Sequence, residues 1–242
     1  MVLKQVLCQI IVWDADHHQS GENTVRHFPL FLRRQTKIKI KDMNDKKRFI
    51  EVLQGTGRNG VDNVIRQLEE LGFFEAPAST AFHLNEPGGL VKHSLNVYDE
   101  AVALADIQKK LCPEQAGKFS DKSIAIASLL HDVCKAEIYR EALKSRKNND
   151  GRWEYYKGYD VDYSPFPIGH GEKSVIRLLQ WGLELTEDEM LAIRWHMGAF
   201  DLPFQSPEAK ANLNVAKNKC PLIALISAAD GLATHILETT IQ

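Results

Sequence analysis

Apolar residues recur every three to four positions along most of this chain, which predicts a mainly helical protein. Val61, Val64, Ile65, Leu68 and Leu71 share one helical face, and a shorter pattern of the same period covers 45–53. Gly55, Gly57 and Gly60 separate the two segments, and Gly72 stands where a helix C-terminus favours a left-handed residue. A turn-rich stretch, EAPASTAFHLNEPGG, then leads into an amphipathic helix from Leu90 to Leu111. Ser120 is placed to cap the next segment, Ser120–Lys135. Ile124, Ala127, Leu129 and Leu130 make it too apolar for a surface helix, so it is expected to run through the core and to end on His131 and Asp132.

Beyond Lys135 the period shortens to two. Residues 138–146 and 153–159 read as strands around Asn148-Asn149-Asp150-Gly151, and Pro165 and Pro167 close the pair. Helical spacing then returns. Gly169–Glu172 opens one helix, and Thr186 with Glu189 forms a capping box at the head of 187–197. Ser206 heads a polar helix, and Pro221–Leu237 is an apolar one with Asp230 in its middle. The expected fold is mainly α: a helical bundle spanning 43–242 with a small β-hairpin insertion at about 138–160.

Residues 1–42 follow a different pattern. An apolar run, Val2–Trp13, precedes a polar stretch to Asn23, and Arg33, Arg34, Lys37, Lys39 and Lys41 then alternate with Ile38 and Ile40. This reads as an irregular basic leader, with Met43 a candidate translation start. Val6–Trp13 is too short to span a bilayer, so no membrane partner and a cytoplasmic location are expected. The net charge of −2 gives no global basic field toward nucleic acid. Four cysteines without a CxxC spacing argue against a zinc knuckle and a disulfide framework. Adjacent His17 and His18 have no partner cluster nearby in the sequence.

Set against this pattern are polar residues stranded on apolar segments: His93, His131, Asp132, His170, His196 and Asp230. A single histidine on such a helix is usually an ordinary core or boundary side chain. Asp230 is harder to place, because a carboxylate among Leu225, Ile226, Ala228, Ala229 and Leu232 needs a partner. Four imidazoles and two carboxylates from separate helices suffice for two adjacent divalent ions. Iron, manganese, nickel and zinc suit such ligands, magnesium is admissible, and the lack of thiolates disfavours a structural zinc.

In this order, H…HD…H…H…D, the residues resemble the HD superfamily of metal-dependent phosphohydrolases. The words that carry the resemblance are GGLVKHSLNV, LLHDVCK, GHGEKS, AIRWHMG and AADGLATHI, within about residues 73–237. The stretch PASTAFHLNEPGGLVKHSLNV is similar to the opening of HD domains in a bacterial 3′→5′ exoribonuclease family and in phage-type HD proteins. The resemblance implies His93, His131, Asp132 and Asp230 as a basic metal set. His170 and His196 match the further ligands of binuclear members, with Asp132 bridging. Lys135 matches the lysine of the HDxxK pattern, where an ammonium meets a phosphate oxygen, and Asp132 and Lys135 are the implied catalytic pair. His83 and Lys173 are implied as substrate contacts. The implied reaction is hydrolysis of a phosphoester of a nucleotide or short oligonucleotide by metal-activated water. Its partner is then a small-molecule phosphoester or nucleotide, with single-stranded nucleic acid a further candidate.

Departures from the family limit this reading. The GYP word of cyclic-di-GMP phosphodiesterases is absent, and no OB-fold like that of the exoribonuclease is evident. Trp153, Tyr155, Tyr156 and Tyr159 suit base stacking, but an ordinary packed hairpin accounts for the same aromatics. Two alternatives stay open: a di-iron oxygenase similar to myo-inositol oxygenase, and a non-catalytic nucleotide-sensing HD module.

Overall fold

The computed structural model describes residues 45–203 and 205–239. The expectations for residues 1–42, including the basic run, His17 and His18, lie outside the described residues, as does Met43. In chain order the elements are α1 (Asp45–Gly55), α2 (Val61–Glu70), α3 (Gly89–Leu111), a 3₁₀ turn (Pro113–Lys118), α4 (Asp121–Leu130) and α5 (Lys135–Ile138). The strands β1 (Tyr139–Lys147) and β2 (Trp153–Val161) follow, then α6 (His170–Gln180), α7 (Glu187–Trp195) and a 3₁₀ turn (Gly198–Asp201). Helices α8 (Pro207–Lys219) and α9 (Pro221–Leu232) end the bundle, with a π-helical turn at Ala233–Leu237. The architecture is the expected one: a mainly helical bundle carrying one two-stranded antiparallel ribbon.

Helix α4 is the core element the apolar pattern called for, since every residue from Ile124 to Leu130 is buried. It packs against α3 and α7, while α9 packs against α3 and α7. Leu129, Leu130, Ile193 and Ile226 are fully buried among them, and truncating such a leucine to alanine costs about 2–5 kcal/mol. Phe49, Phe73 and Phe74 seat α1 on the loop after α2, with ring centroids 5.2–5.5 Å apart. No single described helix is long and apolar enough to cross a membrane.

Two expected helix boundaries and one expected cap differ, each for a local reason. The helix over 120–135 breaks after Leu130: the amides of Val133, Lys135, Ala136 and Glu137 bond three residues back rather than four, and that of Cys134 donates to the Ser174 hydroxyl. The His131 ring takes the Ser128 carbonyl that an α-helical amide would have used. Ser120 occupies the N-cap position without a side-chain bond, unlike Thr186, whose capping box forms, and Ser206, which accepts from the Ala209 amide. The last helix widens into the π turn rather than continuing to Leu237 as α.

Two close approaches fix the elements that bear the site. A β-carbon on Gly171 would lie 2.2 Å from the Arg194 carbonyl, so α6 touches the backbone of α7 there. A β-carbon on Gly89 would lie 2.1 Å from the Leu84 carbonyl, which pins the start of α3 against the preceding loop.

Candidate metal centre

The six stranded residues come together. His93 lies one turn into α3, His131 and Asp132 occupy the turn after α4, His170 begins α6, His196 caps the end of α7, and Asp230 lies on α9. Asp132 is their hub. Its carboxylate oxygens lie 2.5 Å from His170 Nε2, 3.3 Å from His131 Nε2, 3.5 Å from His196 Nε2 and 3.7 Å from His93 Nε2. Lys135 Nζ is 2.6 Å from the same carboxylate, and Asp230 Oδ1 is 3.3 Å from His93 Nε2.

The hydrogen bonds on the far side of the rings determine what this cluster can do. His131 Nδ1 donates to the Ser128 carbonyl at 2.8 Å and His196 Nδ1 to the Ile193 carbonyl at 2.7 Å. Both bonds reach three residues back from a helix end, so each helix terminus aims its own imidazole inward. His93 Nδ1 donates to the Glu238 carboxylate at 3.0 Å. With Nδ1 committed, the Nε2 of all three rings points at the carboxylates, buried and without an aligned hydrogen-bond partner. Orphaned buried nitrogens are costly unless something occupies the space between them. Imidazoles held by outward Nδ1 bonds, with carboxylates beside their Nε2 atoms, are a donor set able to hold a divalent metal ion. His93, His131 and Asp230 fit one such ion, and His131, Asp132 and His196 fit another grouping of the same kind.

Electrostatics agree with this reading. Burial works against charge on Asp132, but Lys135, His131 and His170 outweigh it and hold the carboxyl well below its usual range. Burial likewise opposes the Lys135 ammonium, and Asp132 overcomes it, so this lysine keeps its proton. His93 is raised to about 9, because Asp230 and Glu238 outweigh its burial. An ion binding at Nε2 has to displace that proton. Uptake is therefore expected to release a proton and to tighten as pH rises toward 9, read by calorimetric titration in two buffers of different ionisation enthalpy. Cys134, beside the site, is pushed up to about 12 by burial and is no nucleophile.

His170, His196 and Asp230 of the cluster line a cavity of about 570 Å³ together with His83, Lys135, Tyr139, Phe200 and Lys217, while His93, His131 and Asp132 lie behind it. His83 stands 5.1 Å from His93, ring to ring, and burial with the neighbouring positive charges of His93 and Lys135 lowers it to about 4. It is neutral at pH 7. Lys173 differs from the expectation: it is buried, its ammonium donates to the Pro165 carbonyl at 2.7 Å, and it does not line the cavity. It lies one turn beyond His170 on α6, and its ammonium is held by the Pro165 carbonyl rather than facing the cavity.

Sequence reasoning missed Glu238. It bonds His93 and accepts from Asn96 Nδ2 at 2.9 Å, fixing the ring from behind. Glu238→Gln is expected to weaken metal binding about 10- to 100-fold while the protein stays folded, measured by competition with a chromogenic chelator.

No family model matches the chain, and no solved structure matches it. A curated relative does: the dihydroneopterin 2′,3′-cyclic phosphate phosphodiesterase of Methanocaldococcus jannaschii is 29% identical over 126 residues, which cover 51% of this chain and 45% of the relative. The chain therefore matches a phosphodiesterase, over less than half of that protein's length.

Proposed function

We propose that this protein is a metal-dependent phosphohydrolase of the HD type that cleaves a phosphodiester of a nucleotide or short oligonucleotide. The observation that carries the reading is the set of buried, unpartnered Nε2 atoms on His93, His131 and His196, aimed at Asp132 and Asp230. His93, His131, Asp132 and Asp230 would hold one divalent ion, and His170 and His196 a second that shares Asp132. Bound there, such ions supply Lewis acidity toward phosphoryl oxygens and a water acidified toward neutral pH.

The remaining work belongs to the chain. Lys135 keeps its proton and faces the cavity beside Asp132, where its ammonium offsets charge building on the phosphoryl oxygens. Neutral His83 presents a buried, unpartnered Nε2 that can bond a substrate oxygen. Asp132 holds Lys135 and the four imidazoles in register, so the cationic side of the cavity is built before substrate arrives. The reaction consumes one water, breaks one P–O ester bond, and yields a phosphomonoester and an alcohol. The relative named for a cyclic phosphate supports this hydrolysis over the oxygen-activating alternative.

The test is release of phosphomonoester from 2′,3′-cyclic nucleotides and bis(p-nitrophenyl) phosphate. Activity is expected to vanish with chelator and to return with manganese or iron. Metal-loaded protein inert on every phosphoester would favour a sensing module, and substrate-dependent consumption of oxygen would favour the oxygenase.

A further inference from the structure

Nothing in the proposed reaction uses the ribbon of β1 and β2. A two-stranded ribbon is marginal alone and is ordinarily secured by covering its apolar side chains. Here they stand open: Leu143 and Tyr155 are each 72% exposed and Trp153 is 65% exposed. The hairpin is thus not the packed one that would explain its aromatics away.

Strand alternation sorts these side chains. Tyr139 pairs with Val161 and Lys147 with Trp153, so the odd-numbered residues of both strands share a face. That face carries Leu143, Lys147, Trp153, Tyr155 and Lys157, and its root is Tyr139, which also lines the cavity. The even face is neutralised in place, Lys144 by Asp160 and Arg146 by Glu154. On the odd face Lys157 has no acidic partner among the described residues, and Lys147 lies 5.6 Å over the Trp153 ring. The single acid there, Glu141, sits near the root.

One face therefore offers open flat rings with uncompensated ammonium groups between them, and the other does not. A protein partner or a second copy of the chain could match this face only with an apolar surface that also set carboxylates against both lysines. A single-stranded nucleic acid satisfies both, its bases stacking on the rings and its phosphates meeting the lysines. From Lys147 to Tyr139 the strand rises about 27 Å, room for several nucleotides.

We propose that the odd-numbered face of the ribbon binds single-stranded nucleic acid and leads it toward the cavity. The delivery to the cavity rests on the hydrolytic reading above; the binding does not. The experiment uses the full chain with chelator present, so that nothing is cut, and follows the anisotropy of a fluorescein-labelled oligothymidylate beside a duplex of the same length.

The single strand is expected to bind more tightly than the duplex. Trp153→Ala with Tyr155→Ala should weaken it roughly tenfold or more, and Lys147→Gln with Lys157→Gln should reduce the slope of log affinity against log salt by about 1.4. Wild-type protein that does not bind the single strand, or binding that the aromatic pair of substitutions leaves unchanged, overturns the inference. So does a change of oligomeric state in that variant with no change in nucleic-acid affinity, which would make the ribbon a protein interface. Hydrolysis of a cyclic mononucleotide should stay at the wild-type level in both variants. If wild type binds the oligonucleotide yet hydrolyses no phosphoester, the reaction proposed above fails and this inference stands.

Discussion

Asp132→Asn is expected to lower phosphodiester hydrolysis by roughly three orders of magnitude or more, the larger of the two strongest effects foreseen for this site. The carboxylate lies within 3.7 Å of four imidazole Nε2 atoms and one ammonium, and nothing else in the cavity can replace its charge at that point. Asparagine keeps the shape but brings an amide N–H₂ against those groups, so the proposed metal set would lose its shared ligand and Lys135 its anchor. Initial rates on a 2′,3′-cyclic nucleotide, with ions per chain and circular dichroism on the same sample, separate this from misfolding. A rate within tenfold of wild type would mean that Asp132 is structural.

Lys135→Met is expected to act on a different step. Methionine fills much of the same volume without the charge, so kcat should fall about 10²- to 10³-fold, while the ion content stays near that of wild type. The basis is position: Lys135 Nζ lies 2.6 Å from Asp132 Oδ2, lines the cavity, and keeps its proton because Asp132 overcomes the burial. Loss of metal together with activity would place Lys135 among the supports of Asp132 rather than on the substrate. The ratio of kcat to ion content decides between these two roles.

Most of the fold could be read from the sequence because its local signals agree with one another. The 3.6 period of 61–71, the shift to a period of two after Lys135, and the Thr186 capping box each point to the element that forms there. The hairpin turn was less legible. It is a five-residue loop, 148–152, in which Asn148 Oδ1 accepts from the amides of Asp150 and Arg152, not a tight Asp-Gly turn. Asp230 and the pair His131–Asp132 stand out as polar groups in apolar segments, a conflict visible without knowing which helices touch, whereas His170, in the polar word GHGEKS, and His196 were assigned through the ordered resemblance.

Glu238 and Lys173 show where that reasoning stops. Glu238 lies just past the apolar Ile236 and Leu237 and is followed by Thr239 and Thr240, so nothing marks it as buried, and its partner His93 is 145 positions away. In a continuous α-helix it would lie roughly 80° around from Asp230. The π turn at Ala233–Leu237, wider than an α turn, brings it back toward Asp230's face, and no sequence period announces that turn. Lys173 fails in the opposite way. Its word, GHGEKS, matches the resemblance, but its ammonium is taken up by the Pro165 carbonyl in the segment before α6, a contact that no local sequence signal announces.

These buried side chains are expected to form a binding site for divalent ions. Elemental analysis of protein purified without an affinity tag, wild type beside His170→Ala and Asp230→Ala, tests it most directly. About two ions per chain are expected, falling in both variants while the helical signal persists. Folded wild-type protein that carries no divalent ion, even after growth in metal-supplemented medium, would contradict the account.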